Sequence, residues 1–120
     1  MTWKVGMNIR RGEIYLASLD PVVGKEISKT RPVVVVSNDK NNEFSGTVTI
    51  LPITSKRIQK IYPFEVFLSQ GAGNLPKNSK VKADQIRTLD KARIVTFIGR
   101  LEERKMTEIE TAIKIHLALI

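Results

Sequence analysis

The sequence contains no cysteine, which excludes a disulfide framework, a thiolate metal site and a thiol nucleophile. It contains a single histidine, His116, so neither a multi-histidine metal centre nor a paired-histidine nuclease mechanism can be assembled within one chain. Long apolar runs are also missing. The longest, Pro32 to Val36 and Leu117 to Ile120, fall far short of the roughly 18 residues that read as a membrane span. Nothing at the N-terminus has the apolar stretch of a signal peptide, and a cytoplasmic location is expected, with no membrane partner. With 120 residues in all, one domain with a modest core is expected, not a two-domain cofactor enzyme.

Acidic residues are scarce: 12 Asp and Glu stand against 20 Lys and Arg, a net charge of +8. Such a surplus attracts polyanions, either nucleic acid or an anionic membrane surface. It is spread through the chain, with ten basic and five acidic residues in 1–60 and ten and seven in 61–120, so it is no detachable basic arm. At 42% hydrophobic and 27% charged residues, the composition is that of a folded protein.

Hydrophobic patterning divides the chain into an N-terminal extension, residues 1–9, and a single domain, residues 10–120. The extension holds Trp3, read as a disordered or packing residue or as one that stacks on a nucleic-acid base, and Met7, an alternative start. Glu13 to Ser18 alternates as a strand between Gly12 and the stop at Asp20-Pro21. Asp20 to Thr30 reads as an exposed loop. Pro32 to Ser37 is β-branched and apolar on both faces, which predicts a central buried strand. A polar turn-rich stretch, Asn38 to Gly46, leads to a third strand at Thr47 to Pro52. Phe64 to Leu68 gives a fourth, Ser79 to Ala83 a half-exposed fifth, and Val95 to Leu101 a sixth. Met106, Ile109, Ile113, His116 or Leu117, and Ile120 then recur at helical spacing. On that face His116 reads as a core or dimer-facing side chain. The pattern predicts a mainly β fold with helices: a small, strongly bent antiparallel barrel with a C-terminal helix packed against it.

Any catalysis must use Arg, Lys, Asp, Glu, Ser, Thr, Tyr or backbone groups. Two strand ends stand out. Arg31 precedes Pro32 at the mouth of the buried β-run, where the proline biases it towards an extended conformation. Thr54 and Ser55 follow Pro52-Ile53 at the end of the next strand. Antiparallel pairing of these strands would put Arg31 and Thr54 at one rim. A guanidinium can bond two phosphate oxygens and a hydroxyl can donate a third bond, as a phosphodiester site requires. Glu26 in the long loop is the nearest carboxylate that could take a proton. The competing reading is structural: Arg31 pairs with a surface carboxylate and Thr54-Ser55 forms an ordinary turn.

Several motifs, in order, resemble the MazF/PemK family of toxin endoribonucleases. They are Gly12-Glu13-Ile14-Tyr15; Leu19-Asp20-Pro21 with Gly24 and Glu26; Thr30 to Ser37; Pro52-Ile53-Thr54-Ser55; and Asp84 to Asp90. The resemblance covers the chain from about Arg10 onwards. It implies an SH3-like barrel, a homodimer, metal-independent cleavage of single-stranded RNA without a cofactor, and inhibition by a cognate antitoxin. DNA binding is implied only for a toxin–antitoxin complex. By position, Arg31 and Thr54 match the family's catalytic pair, Glu26 the loop glutamate and Gln85 a residue of the RNA groove. Lys25, Ser55, Lys56, Arg57 and Arg87 are further RNA-binding candidates, Arg87 with a structural pairing to Asp84 as its other reading. The family's loop pattern has Gln where this chain has Ile27, a departure that bears on the RNA word recognised. The mechanism implied is attack by the RNA 2′-hydroxyl, giving a 2′,3′-cyclic phosphate, or the 3′-phosphate it opens to, and a 5′-hydroxyl. The alternative function is a non-catalytic toxin-fold protein that binds nucleic acid or gyrase.

Overall fold

The computed structural model describes residues 8–120; Trp3 and Met7 lie outside them. The strands are β1 (Glu13–Ser18), β2 (Thr30–Val35), β3 (Thr47–Thr54), β4 (Glu65–Leu68), β5 (Ser79–Lys82), β6 (Arg87–Asp90) and β7 (Ile94–Arg100), and the helices α1 (Asp39–Phe44) and α2 (Glu103–His116). The strands form one antiparallel sheet in the order β4-β5-β3-β2-β1-β7, with β6 also paired to β3.

The valine run of β2 becomes intelligible in this arrangement. Val33 and Val35 join Tyr15, Val48, Ile50, Leu89 and Ile94 in one apolar cluster, and Val34 joins Ile14, Leu51, Ile53 and Val81 in a second. A strand with core on both faces has no polar phase, and β-branched residues suit it. Helix α2 closes the second cluster with Met106, Ile109 and Ala112. Its first turn carries Glu103 and its last turn Lys114, each complementing the helix dipole.

The structure corrects four readings of the sequence. Asn38 to Gly46 is not merely a turn. It contains α1, capped by the Asn38 side chain, which accepts a bond from the Asn41 N–H at 2.8 Å. A seventh strand, β6, runs through Arg87–Asp90, too short and too polar to announce itself. The C-terminal stripe buries Met106, Ile109 and Ala112 with Ile113 half-buried against the same cluster, while His116, Leu117 and Ile120 are exposed at and beyond the helix end. Strand β5 is buried: Ser79 is 5% exposed and Lys80 4%, because the lysine meets a buried carboxylate. Among the described residues no helix is long and apolar enough to cross a membrane.

Candidate active site

Strand β3 organises the site because it pairs with three strands. Its middle lies against β2, with Val35 opposite Ile50, Val34 opposite Leu51 and Val33 opposite Pro52. Continuing that register two residues past the last pair places Arg31 opposite Thr54. Arg31 shares the strand face of Val33, and Thr54 that of Pro52, by simple alternation. The paired residues themselves end at Val33 and Pro52, two positions short of Arg31 and Thr54.

Along its other edge β3 pairs first with β6 and then with β5. Between the Ile50–Arg87 and Ile53–Val81 pairs, β3 advances three residues while the opposite chain spans six. The surplus of three is the 3₁₀ turn Ala83–Gln85, which pushes Asp84 and Gln85 out of the ladder. Gln85 Oε1 accepts a bond from the Ile27 N–H at 3.3 Å. That bond ties the long loop to the sheet, and Ile27 packs on the apolar cluster beneath. Glu26, Ile27, Pro52, Asp84, Gln85, Ile86 and Arg87 line the resulting open cleft, of about 410 Å³. A cleft of about 490 Å³ beside the start of α2, lined by Arg100, Arg104 and Lys105 among others, contains none of the residues singled out from the sequence.

The side chains of the site differ in what already engages them. Arg31 is half-buried and donates from Nε to the Ser28 carbonyl at 2.7 Å. Among the described residues that is its only side-chain bond, so the two terminal nitrogens remain for a ligand. Thr54 is 9% exposed, and its Oγ1 accepts the Lys56 N–H at 3.1 Å, fixing the turn that carries Ser55, Lys56 and Arg57. Its hydroxyl proton stays available to an acceptor. Ser55, Lys56 and Arg57 are exposed, as are Lys25 and Glu26 in the long loop. Glu26 Oε1 accepts the Val23 N–H at 2.9 Å, a bond that shapes the loop and leaves Oε2 without a partner among the described residues.

Arg87 is anchored differently. Its Nη1 donates to the Leu19 carbonyl at 3.1 Å, bracing the start of the loop. It does not pair with Asp84, whose Oδ1 is buried without a hydrogen bond and faces Lys82 Nζ at 3.6 Å. Sequence reasoning missed Ser28, and it missed the contacts by which Ser28, Leu19 and Ile27 orient the arginines and the loop. All three act through backbone groups, which no side-chain motif records. Among the described residues no three His, Asp or Glu side chains converge as metal ligands would. The rim is thus one guanidinium fork, hydroxyls and nearby cations, a donor set suited to holding an anion and stabilising charge that develops on it.

The chain is 40% identical to endoribonuclease MazF9 of Mycobacterium tuberculosis over 92% of its length and 98% of that protein's. It is also 40% identical to endoribonuclease MazF of Staphylococcus saprophyticus, over 92% of each. The fold matches the crystal structure of MazF from Deinococcus radiodurans with a TM-score of 0.81 at 26% identity, covering 93% of this chain and 98% of the other. It also matches a mycobacterial endoribonuclease in complex with its cognate antitoxin, with a TM-score of 0.77 at 26% identity, covering 93% and 97%. A family model matches residues 10–117, and the chain belongs to the PemK-like, MazF-like toxins of type II toxin–antitoxin systems.

Proposed function

We propose that this protein is an endoribonuclease toxin that cuts single-stranded RNA at the Arg31–Thr54 rim, acts as a homodimer in the cytoplasm, and is held inactive by a cognate antitoxin. The antiparallel pairing of β2 with β3, whose register extended by two residues brings Arg31 to Thr54, supports the reading, together with the cleft lined by Pro52 and Gln85. The terminal nitrogens of Arg31 and the Thr54 hydroxyl bond the non-bridging oxygens of the scissile phosphate. As the RNA 2′-oxygen attacks, negative charge builds on those oxygens, and donors already in place stabilise it. Arginine's pKa, above roughly 12, makes it an electrostatic group and not a proton acceptor at neutral pH. Glu26 takes the 2′-hydroxyl proton, and the departing 5′-oxygen is protonated by water. The products are a 2′,3′-cyclic phosphate and a 5′-hydroxyl end. Gln85 and Arg87, with Lys25 and the Ser55-Lys56-Arg57 turn, line the path of the strand, and the net charge of +8 supplies salt-dependent attraction along it.

The test is incubation with a long, sequence-diverse RNA in EDTA, followed by mapping of the new 5′ ends. Discrete cuts ending in a 5′-hydroxyl are expected. A substrate with 2′-deoxyribose at the cut position should resist, and its continued cleavage would sink the mechanism. No cutting of any long RNA would favour the non-catalytic binder.

A further inference from the structure

Next to the rim, on the same face of the sheet, lies a group of residues that the proposed reaction does not use. Thr54 pairs with Lys80, Lys80 with Phe67, and Lys82 with Glu65. Paired and alternating residues share a face, so Thr54, Lys80, Lys82 and Glu65 lie together. Val66, Val81 and Ile53 fill the opposite face, in the core.

Glu65, 5% exposed, bonds Lys80 Nζ at 3.0 Å through Oε1 and Lys82 Nζ at 2.7 Å through Oε2. Its Oε1 also accepts the Tyr62 N–H at 3.0 Å, and Lys80 donates to the Lys60 carbonyl at 3.3 Å. The cluster therefore grips the backbone of the segment between β3 and β4 at two points, Lys60 and Tyr62. On the outer side of that segment the Tyr62 ring is 42% exposed. It stacks on Phe64 with centroids 5.5 Å apart and planes within 7°. The Lys60 ammonium lies 4.9 Å from its centroid. Residues 55–64 carry Lys56, Arg57 and Lys60 and no acidic residue.

An exposed ring on an anchored backbone, with the Lys60 ammonium over it and Lys56 and Arg57 in the same segment, supplies both elements of single-strand binding, a π-face for a base and positive charge for its phosphate. The one-sided charge favours a polyanion over a protein surface. We propose that Tyr62 is a base-stacking subsite, taking an unpaired nucleobase of the strand whose phosphate is held at Arg31 and Thr54; the proposal rests on the RNA-cleaving reading of that rim. The incoming base displaces the Lys60 ammonium from the ring, and the ammonium moves to the phosphate. Glu65 is the positioning residue, because it holds the Tyr62 backbone.

The experiment uses a single-stranded oligonucleotide shortened from a mapped cut in a long RNA, with an abasic nucleotide placed at each position in turn. At one position flanking the cut, loss of the base should raise KM about tenfold with kcat almost unchanged. Tyr62→Leu should raise KM on the intact oligonucleotide by a similar factor and add nothing at that abasic position. Tyr62→Phe and Tyr62→Trp should keep the wild-type KM. Glu65→Gln, assayed where circular dichroism shows it folded, should raise KM in the same direction. An unchanged KM in Tyr62→Leu, or effects that multiply at every abasic position, overturns the subsite. An unchanged KM with altered sedimentation or antitoxin affinity assigns the ring to a protein interface and overturns it as well. Failure of wild-type protein to cut any RNA is a separate result, against the RNA-cleaving reading. Anisotropy of a fluorescein-labelled single-stranded RNA with wild type and Tyr62→Leu then decides the subsite, equal affinities overturning it.

Discussion

Two neighbouring regions on one face of the sheet use positive charge in opposite ways. At the rim, Arg31 is steadied by a carbonyl, and no salt bridge involving it, Lys25, Lys56 or Arg57 forms among the described residues. One strand away, Lys80 and Lys82 share the carboxylate of Glu65, whose side chain is 1% exposed. The contrast follows from solvation. A cation at the wet edge keeps its water and can exchange it for a phosphate, whereas an ammonium buried as deeply as Lys80 is costly without a carboxylate. A chain short of acidic residues has placed one where burial demands it and none among the rim cations. Arg87 falls between the two, half-buried and braced on a carbonyl through a terminal nitrogen.

The contrast can be broken in graded steps. The largest effect belongs to Arg31→Ala, expected to lower kcat/KM on a mapped RNA by about a thousandfold while the thermal midpoint stays close to wild type. Retention of activity within tenfold would move the reaction away from the rim. Glu65→Gln should do the converse, reducing unfolding stability in urea by about 3 kcal/mol because the buried Lys80 ammonium and the half-buried Lys82 ammonium lose their shared carboxylate. Replacing Glu65, Lys80 and Lys82 together by Leu, Met and Met should recover most of that loss, and failure to recover would mean that the cluster is more than a neutralised pair.

A third effect concerns acid. Burial alone would raise the Glu65 pKa, but the Lys82 ammonium, the Tyr62 N–H and Lys80 outweigh it and hold the carboxyl below its ordinary value. A group whose pKa is depressed by folding contributes stability above its unfolded value, roughly 4.3, and loses it as pH falls through the lower folded value. Wild type should therefore lose stability on that acid limb, and Glu65→Gln should have a flatter one in a pH series of urea melts. The smallest effect is assigned to Gln85→Ala. Freeing the Ile27 N–H from its 3.3 Å bond should raise KM about threefold, the scale of one modest hydrogen bond, with stability unchanged.

Much of this was legible before any coordinates. The valine run, the Arg-Pro step and the Thr-Ser after the next strand are local signals, and each maps onto the element expected of it: β1 spans the very residues read as a strand, and β3 extends that strand to include Thr54. Strand β6 and the depth of β5 were hidden, because a lysine at alternating positions looks solvent-facing until its partner, 15 residues away at Glu65, is known. In sequence Arg31 reads as catalytic and Arg87 as an RNA contact or a partner of Asp84, but neither anchor is visible there. The Nε of Arg31 reaches a carbonyl three residues back, and the Nη1 of Arg87 reaches one 68 residues away.

By itself the sequence determined which chemistries were excluded, which segments alternate, and which two strand ends hold a guanidinium and a hydroxyl, since these depend on composition and on periods of a few residues. Only the tertiary structure decided that β3 exchanges β6 for β5 along one edge, that the surplus three residues swing Gln85 into a cleft with the long loop, and that a buried carboxylate locks the segment bearing Tyr62. Those outcomes depend on register between distant strands, which is set by the simultaneous packing of two apolar clusters and cannot be read from any one of them alone.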